Sequence, residues 1–345
     1  MIKIGVIGLG NIGFAHAQRV HSIRGVELAA GADLREEILQ KFEDNFGKPG
    51  YKEYNKIIEN EDIDGVIIAL PNFLHAKVAI EALKSGKHVL VEKPPALNYR
   101  ETKRMVEEAS RSGRVLLLGM VNRFYEPVKD MKRVIESGKL GKPYYGRTCW
   151  LRTSGIPGWG SWFTMRDKAG SGPVFDIGVH MLDMILWSLH YPKPKAVAAY
   201  SWSIFGPEKR GLSNWGTIIP QGAFDVEDGA VALLHLKGIS IMMEVSWAGY
   251  EEEGKHIFEV LCSRGGIKAD LRRGIVEERS GKLSKRRTVI RRYRRQDILL
   301  REDRHFVRCI KGLEEPITTP DEILTLQRIL DGIIEAADKG DIVRF

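Results

Sequence analysis

The sequence predicts a two-part protein: an α/β half built on a parallel sheet, then an α+β half with a largely antiparallel open sheet. Three observations carry that prediction. Apolar runs alternate with helix-length amphipathic segments as far as residue 119. A glycine turn, Gly8-Leu-Gly-Asn-Ile-Gly13, follows the first run directly. Beyond Arg123 strand-like stretches succeed one another with few helices between them. Strands separated by helices form parallel βαβ units with right-handed crossovers, whereas strands in close succession pair antiparallel.

In the first half, strands are expected at 2–7, 26–32, 65–69, 88–91 and 115–119, and helices near 12–24, 35–46, 73–85 and 98–112. The glycine turn closes a strand and opens a helix, the context that lifts G-x-G-x-x-G above a chance match. Gly8 allows the tight turn, Gly10 lets backbone approach a pyrophosphate, and Gly13 lets helix pack on strand. Asn11 and Ile12 then open a helix whose unpaired N–H groups face an anion. Asp33 stands twenty residues after Gly13, at the end of the second strand. A carboxylate there accepts from ribose hydroxyls and repels a 2′-phosphate, favouring NAD; Arg35, just beyond Leu34, keeps NADP open. Residues 1–122 thus read as a dinucleotide-binding Rossmann domain.

Two more strand ends face the same crevice. Leu70-Pro71-Asn72 and His75 follow the third strand, with Asn72 equally readable as the cap of helix 73–85. In Gly86-Lys-His-Val-Leu-Val-Glu-Lys-Pro-Pro95 the strand stops at two prolines, which cannot donate to a ladder. Glu92 and Lys93 therefore sit at a carboxyl end, where open α/β sheets place ligands. A lysine there can stabilise a developing alkoxide or relay a proton.

Residues 123–345 read as a substrate and oligomerisation domain. Its strands are expected at 144–153, 195–204, 229–237, 239–248, 256–263, 266–270 and 286–293, with helices near 127–137, 177–190, 300–312 and 320–338. The last helix opens on acidic residues suited to its dipole and is a candidate to pack back on the first domain. The long segment from Arg152 to Phe175 carries five glycines with Trp159, Trp162 and Phe163. Its rings suit sugar faces and its bases an acidic group, and it is equally readable as a lid or subunit contact without ligand chemistry. Arg123, Tyr125, Arg152, Trp159 and Trp162 are the expected substrate contacts. Asp176 and His180 lie four apart at a helix start and share a face, as a proton-transfer pair requires.

Composition sets limits. With 43% hydrophobic and 28% charged residues the chain matches ordinary globular proteins. No apolar run approaches the roughly 18 residues of a membrane span. The start lacks a signal peptide's long apolar stretch, so a cytoplasmic location is expected. Cys149, Cys262 and Cys309 are read as free thiols, and no His/Cys spacing points to a metal. The net charge of +8 is local: residues 282–295 hold eight Lys/Arg and no acid, and setting those eight aside from the 53 bases leaves a number equal to the 45 acids. Such a ribbon is expected to be an exposed hairpin edge, where charge blocks strand addition, rather than a nucleic-acid surface.

Taken in order, Gly8 to Gly13, Pro71-Asn72 with His75, Gly86 to Pro94, and Asp176-Ile-Gly-Val-His180 resemble the Gfo/Idh/MocA family, named for glucose–fructose oxidoreductase, inositol dehydrogenase and a rhizopine-catabolism protein. The resemblance is strongest over 1–125 and 170–190. It implies that Lys93 is the catalytic lysine, with Asp176 and His180 the other catalytic positions and His180 the acid/base. It also implies a cis bond before Pro94, an open-sheet domain that makes a homodimer or homotetramer, and Asn122 beside the cofactor. The activity implied is an NAD(P)-dependent dehydrogenase acting on a secondary hydroxyl of a sugar, sugar acid or cyclitol. The alternatives are an NAD-retaining glycosidase that works by oxidation and elimination, and a non-enzymatic NAD or sugar sensor. Gly170-Ser-Gly172 departs from the family's paired glycines, and neither the 152–162 insert nor the basic ribbon is generic.

Overall fold

Short apolar runs between glycine turns form the first sheet, and amphipathic segments between them form its helices. The structure, a computed structural model, describes all 345 residues. Two compact units emerge: Met1–Val121 with Asp297–Leu324, and Asn122–Gln296 with Thr325–Phe345. The single boundary expected after residue 122 is thus joined by two later crossings, because 297–324 belongs with the first unit.

The first unit runs β1 (Ile2–Ile7), α1 (Asn11–Ser22), β2 (Val26–Ala32), α2 (Glu36–Phe46), β3 (Gly50–Tyr51), α3 (Asn55–Ile58), β4 (Gly65–Ile68), α4 (Asn72–Lys84), β5 (His88–Glu92), α5 (Tyr99–Ser112) and β6 (Leu116–Gly119). The order β3-β2-β1-β4-β5-β6 is parallel throughout. Strand order reverses between β1 and β4, and the loops after β1, β4 and β5 therefore emerge side by side at the switch point. β3 and α3 escaped the sequence reading because two and four residues carry no periodicity.

The second unit holds α6 (Glu126–Glu136), β7 (Pro143–Leu151), α7 (Arg166–Ala169), α8 (Val179–Ser188), β8 (Pro194–Trp202), β9 (Gly229–Leu236), β10 (Ile239–Ser246), β11 (Lys255–Cys262), β12 (Gly265–Asp270), β13 (Ile275–Lys282) and β14 (Lys285–Arg292). After them come α9 (Ile298–Ile310), which returns to the first unit, then α10 (Pro320–Lys339) and β15 (Val343–Arg344). Phe306 and Val307 of α9 join Ile4, Val6, Leu28 and Leu90 in the core of the first unit.

The second sheet has the order β14-β13-β12-β11-β7-β10-β9-β8-β15. It is antiparallel except where β7 and β10 run parallel. α8 covers one face: a Cβ on Gly146 would meet Ile185 at 2.6 Å, and Gly178 lies against Met243 and Val245. β13 was missed because Glu277, Glu278 and Arg279 hide its alternation. The basic ribbon, 282–295, covers the β13–β14 turn and the whole of β14, an exposed edge strand, as charge-protected edges require.

Candidate active site

In the first unit the glycine turn has no room for side chains where the backbone is tight. Gly8 has φ +89°, and a Cβ there would lie 2.4 Å from the Ala69 carbonyl oxygen. A Cβ on Gly13 would lie 1.8 Å from the Gly8 oxygen. Gly10, by contrast, meets no atom within 4 Å, leaving space for a phosphate above it. α1 begins without a side-chain cap or first-turn acid, which leaves its leading N–H groups available to an anion. These residues fit a dinucleotide.

Asp33 ends β2 with its Oδ2 accepting from Leu9 N–H at 3.0 Å. Arg35 donates to both of its oxygens, each at 2.9 Å. Burial alone would raise the Asp33 pKa, but the Arg35 bonds and charge outweigh it and hold the carboxylate below its usual range. Asp33→Ser is expected to lower NAD affinity about tenfold or more, since hydrogen bonds to charged groups contribute about 1.5–3 kcal/mol. It also frees Arg35 for a 2′-phosphate. The ratio of kcat/KM for NADP over NAD measures this, and an unchanged ratio would remove Asp33 from the ribose role.

The strand-end groups divide. Lys93 is half-buried at the end of β5, and its peptide to Pro94 is cis. Leu70 and Pro71 are half-buried, Asn72 is buried, and Asn11 and Leu34 are exposed. Two expected cofactor contacts need correction. His75 is 1% exposed, with Nδ1 2.8 Å from the Pro94 oxygen and Nε2 2.8 Å from the Leu70 oxygen. It ties α4 to the turn carrying Lys93. Glu92 faces inward, where Oε1 meets His16 Nε2 at 3.1 Å and Oε2 accepts from Lys93 N–H at 3.1 Å.

His16 was missed altogether, because its other partner, Asp303 at 2.6 Å from Nδ1, is 287 residues away. Burial lowers the His16 pKa, but the charges and hydrogen bonds of Asp303 and Glu92 more than reverse that and raise it above its usual value. His16, Glu92 and Glu302 place donor atoms within 4.8 Å of one another. Both ring nitrogens of His16 thus face carboxylates, Nδ1 that of Asp303 and Nε2 that of Glu92.

In the second unit a π turn, Val174–Gly178, leads into α8 and carries Asp176 just ahead of His180; such turns recur at functional sites. Asp176 Oδ2 accepts from the buried Trp247 indole at 2.8 Å and lies 3.9 Å from Arg152 Nη1. Arg152 also stacks over Trp150, 4.8 Å from the ring centroid. Trp150 lies 6.3 Å from the His180 ring and is stacked on His256 at 3.9 Å. Trp150, Trp247 and His256 were missed because their relation to Asp176 and His180 is set by sheet register, not spacing.

The expected substrate contacts also divide. Arg123 is 1% exposed and forked onto Asp183 at 2.6–3.2 Å, with the Tyr191 hydroxyl at 3.1 Å and the Trp187 ring below it. Those donors are committed internally, so Arg123 is structural. Trp159 is likewise corrected: it is 5% exposed, donates to the Gly206 carbonyl at 2.7 Å and is covered by Lys209. Its anchor is fixed by Asp228, whose Oδ2 accepts from Ile204, Phe205 and Gly206 N–H. Arg152, Tyr125 and Trp162 remain half-buried, Trp162 stacked on Phe163 at 3.8 Å.

Residues 2–120 match the family model described as "Oxidoreductase family, NAD-binding Rossmann fold", and residues 128–268 match the GFO/IDH/MocA C-terminal domain. The chain belongs to the Gfo/Idh/MocA family. As a Gfo/Idh/MocA protein it is an NAD-binding oxidoreductase. It is 26% identical over 343 residues to the D-glucoside 3-dehydrogenase of Escherichia coli K12, covering 98% of this chain and 96% of that one. It is 28% identical to the myo-inositol 2-dehydrogenase of Thermotoga maritima, covering 93% and 92%. Among solved structures, levoglucosan dehydrogenase with NADH superposes with a TM-score of 0.88 at 22% identity, covering 99% and 98%, a likeness of fold. No helix of this Gfo/Idh/MocA member is long and apolar enough to cross a membrane.

Proposed function

We propose that the protein is an NAD-dependent dehydrogenase that oxidises a secondary hydroxyl of a sugar, sugar acid or cyclitol. The observation that carries this reading is Lys93 at the end of β5, two strands from the glycine turn at the end of β1 in a parallel sheet. A cation at that edge offsets charge as a hydroxyl becomes an alkoxide. In this reading Lys93 donates to the substrate oxygen, His180 takes its proton, and Asp176, fixed by Trp247, supports the protonated imidazole. A bound nicotinamide would supply the hydride acceptor.

Gly8, Gly10, Gly13 and the start of α1 would hold the pyrophosphate, and Asp33 the ribose. Arg152, Tyr125 and Trp162 would line the sugar. The D-glucoside and myo-inositol dehydrogenases among the relatives support this substrate class. The protein works in the cytoplasm as a homodimer or homotetramer formed through the open face of the second sheet, where Tyr200 is 66% and Leu233 53% exposed. A monomer by light scattering would remove the assembly.

A screen of β-D-glucosides, aldoses, sugar acids and inositols with NAD and NADP, followed by absorbance of the reduced cofactor, tests the activity. Turnover of none of them, despite tight NAD binding, would leave a sensor. Glycoside cleavage without net cofactor reduction would replace the dehydrogenase with oxidation–elimination.

A further inference from the structure

We propose that His256 is a substrate-binding residue whose imidazole reads one uncharged hydroxyl of a carbohydrate or cyclitol ring. This rests on the dehydrogenase reading above and names a contact it lacks. The placement follows from register. On β7, Gly146, Thr148 and Trp150 share one face by alternation. On β11, Val260, Phe258 and His256 stand directly opposite them, and directly opposed residues project to the same side. Gly146 packs under Ile185 of α8, while Trp150, two pleats on, lies 6.3 Å from His180 near the start of that helix. His256 therefore occupies the end of the sheet at which Asp176 and His180 project, on their face.

Its ring is fixed there by Trp150, with centroids 3.9 Å apart and planes inclined by 15°. Trp150 is itself covered by Arg152, 4.8 Å from its centroid. One indole thus separates the proposed proton acceptor, a guanidinium and a second imidazole.

Nε2 of His256 is buried and has no hydrogen-bond partner within the protein. Buried polar atoms are almost always paired, and one that is not calls for an explanation. If the residue served packing alone, phenylalanine would stack on Trp150 equally well without the orphaned nitrogen. Burial first, and then the neighbouring Arg152 charge, push the His256 pKa down to about 3, so the ring is neutral at physiological pH. A neutral imidazole nitrogen donates or accepts according to tautomer and suits a hydroxyl, which does both. Arg152 is partly balanced by Asp176 at 3.9 Å, so the two residues together do not demand an anionic ligand.

The test uses His256→Phe, which keeps the stack and removes the nitrogens. Methyl β-D-glucoside and myo-inositol serve as probes, together with the monodeoxy forms of the glucoside. The variant is expected to raise KM about 3- to 10-fold with kcat held, the loss that follows from one neutral hydrogen bond. Wild type should discriminate against one deoxy position by a similar factor, and the variant should not. In parallel, the His256 ring nitrogens, assigned by their absence from the variant's spectrum, should shift when either sugar is added to the NADH-saturated wild-type protein. Equal discrimination by both proteins at every position, or nitrogens unmoved at saturating sugar, overturns the assignment. If wild type oxidises neither probe, the dehydrogenase reading fails while the nitrogen shifts still decide this one. If the variant does not fold, His256→Asn supplies the assignment and the wild-type shifts decide.

Discussion

Lys93→Met is expected to lower kcat by about 10²–10³-fold, the effect of removing one preorganised donor from a developing oxyanion, with NAD affinity nearly unchanged. The side chain lies at the end of β5, while the proposed phosphate site, Gly10 and the open start of α1, lies at the end of β1. Hydride transfer leaves a carbonyl only if the hydroxyl loses its proton, so a missing cation is felt in the chemical step rather than in binding. NAD titration by fluorescence and steady-state kinetics on the best sugar from the screen separate the two. A variant with wild-type kcat would end the catalytic role given to Lys93. One whose NAD affinity collapsed along with kcat would make it a cofactor anchor.

Arg123→Met is expected to cost about 3–5 kcal/mol, because it strands the Asp183 carboxylate in the core of the second unit. The pair is 1% exposed on both sides, and Tyr191 completes it with 2.5 Å to Asp183 and 3.1 Å to Arg123. Arg123→Met with Asp183→Leu should recover much of that loss, since no charge then remains without its partner. Urea unfolding followed by circular dichroism reads both variants. If Arg123→Met instead unfolded at the wild-type urea concentration and raised the sugar KM, the guanidinium would regain its place among the substrate contacts.

The two predictions mark where the sequence was legible. Lys93 could be singled out because a strand that runs into Pro94 and Pro95 has one possible end, and ligands gather at such ends. Arg123 could not be sorted. An arginine just after a strand looks the same whether its fork meets a sugar or Asp183, sixty residues on. Trp159 misled for the same reason, since aromatic rings in a glycine-rich loop serve either as sugar platforms or as anchors. His75 carried a weak cue, its place in the first turn of α4, but nothing local indicated that its partners would be the Pro94 and Leu70 carbonyls.

By itself the sequence determined the parallel sheet with its glycine turn, the position of Asp33, the lysine at the β5 end and the Asp176–His180 pair. Each of these is written in a spacing of a few residues, or in an alternation that elementary backbone geometry converts into structure. Only the tertiary structure decided that α9 returns to the first unit, that Arg123 and Trp159 are internal, and that Trp150, Trp247 and His256 gather near Asp176 and His180. Those facts depend on which distant segments lie against each other. That is settled by burial and strand register over the whole chain, and no local pattern of residues encodes it.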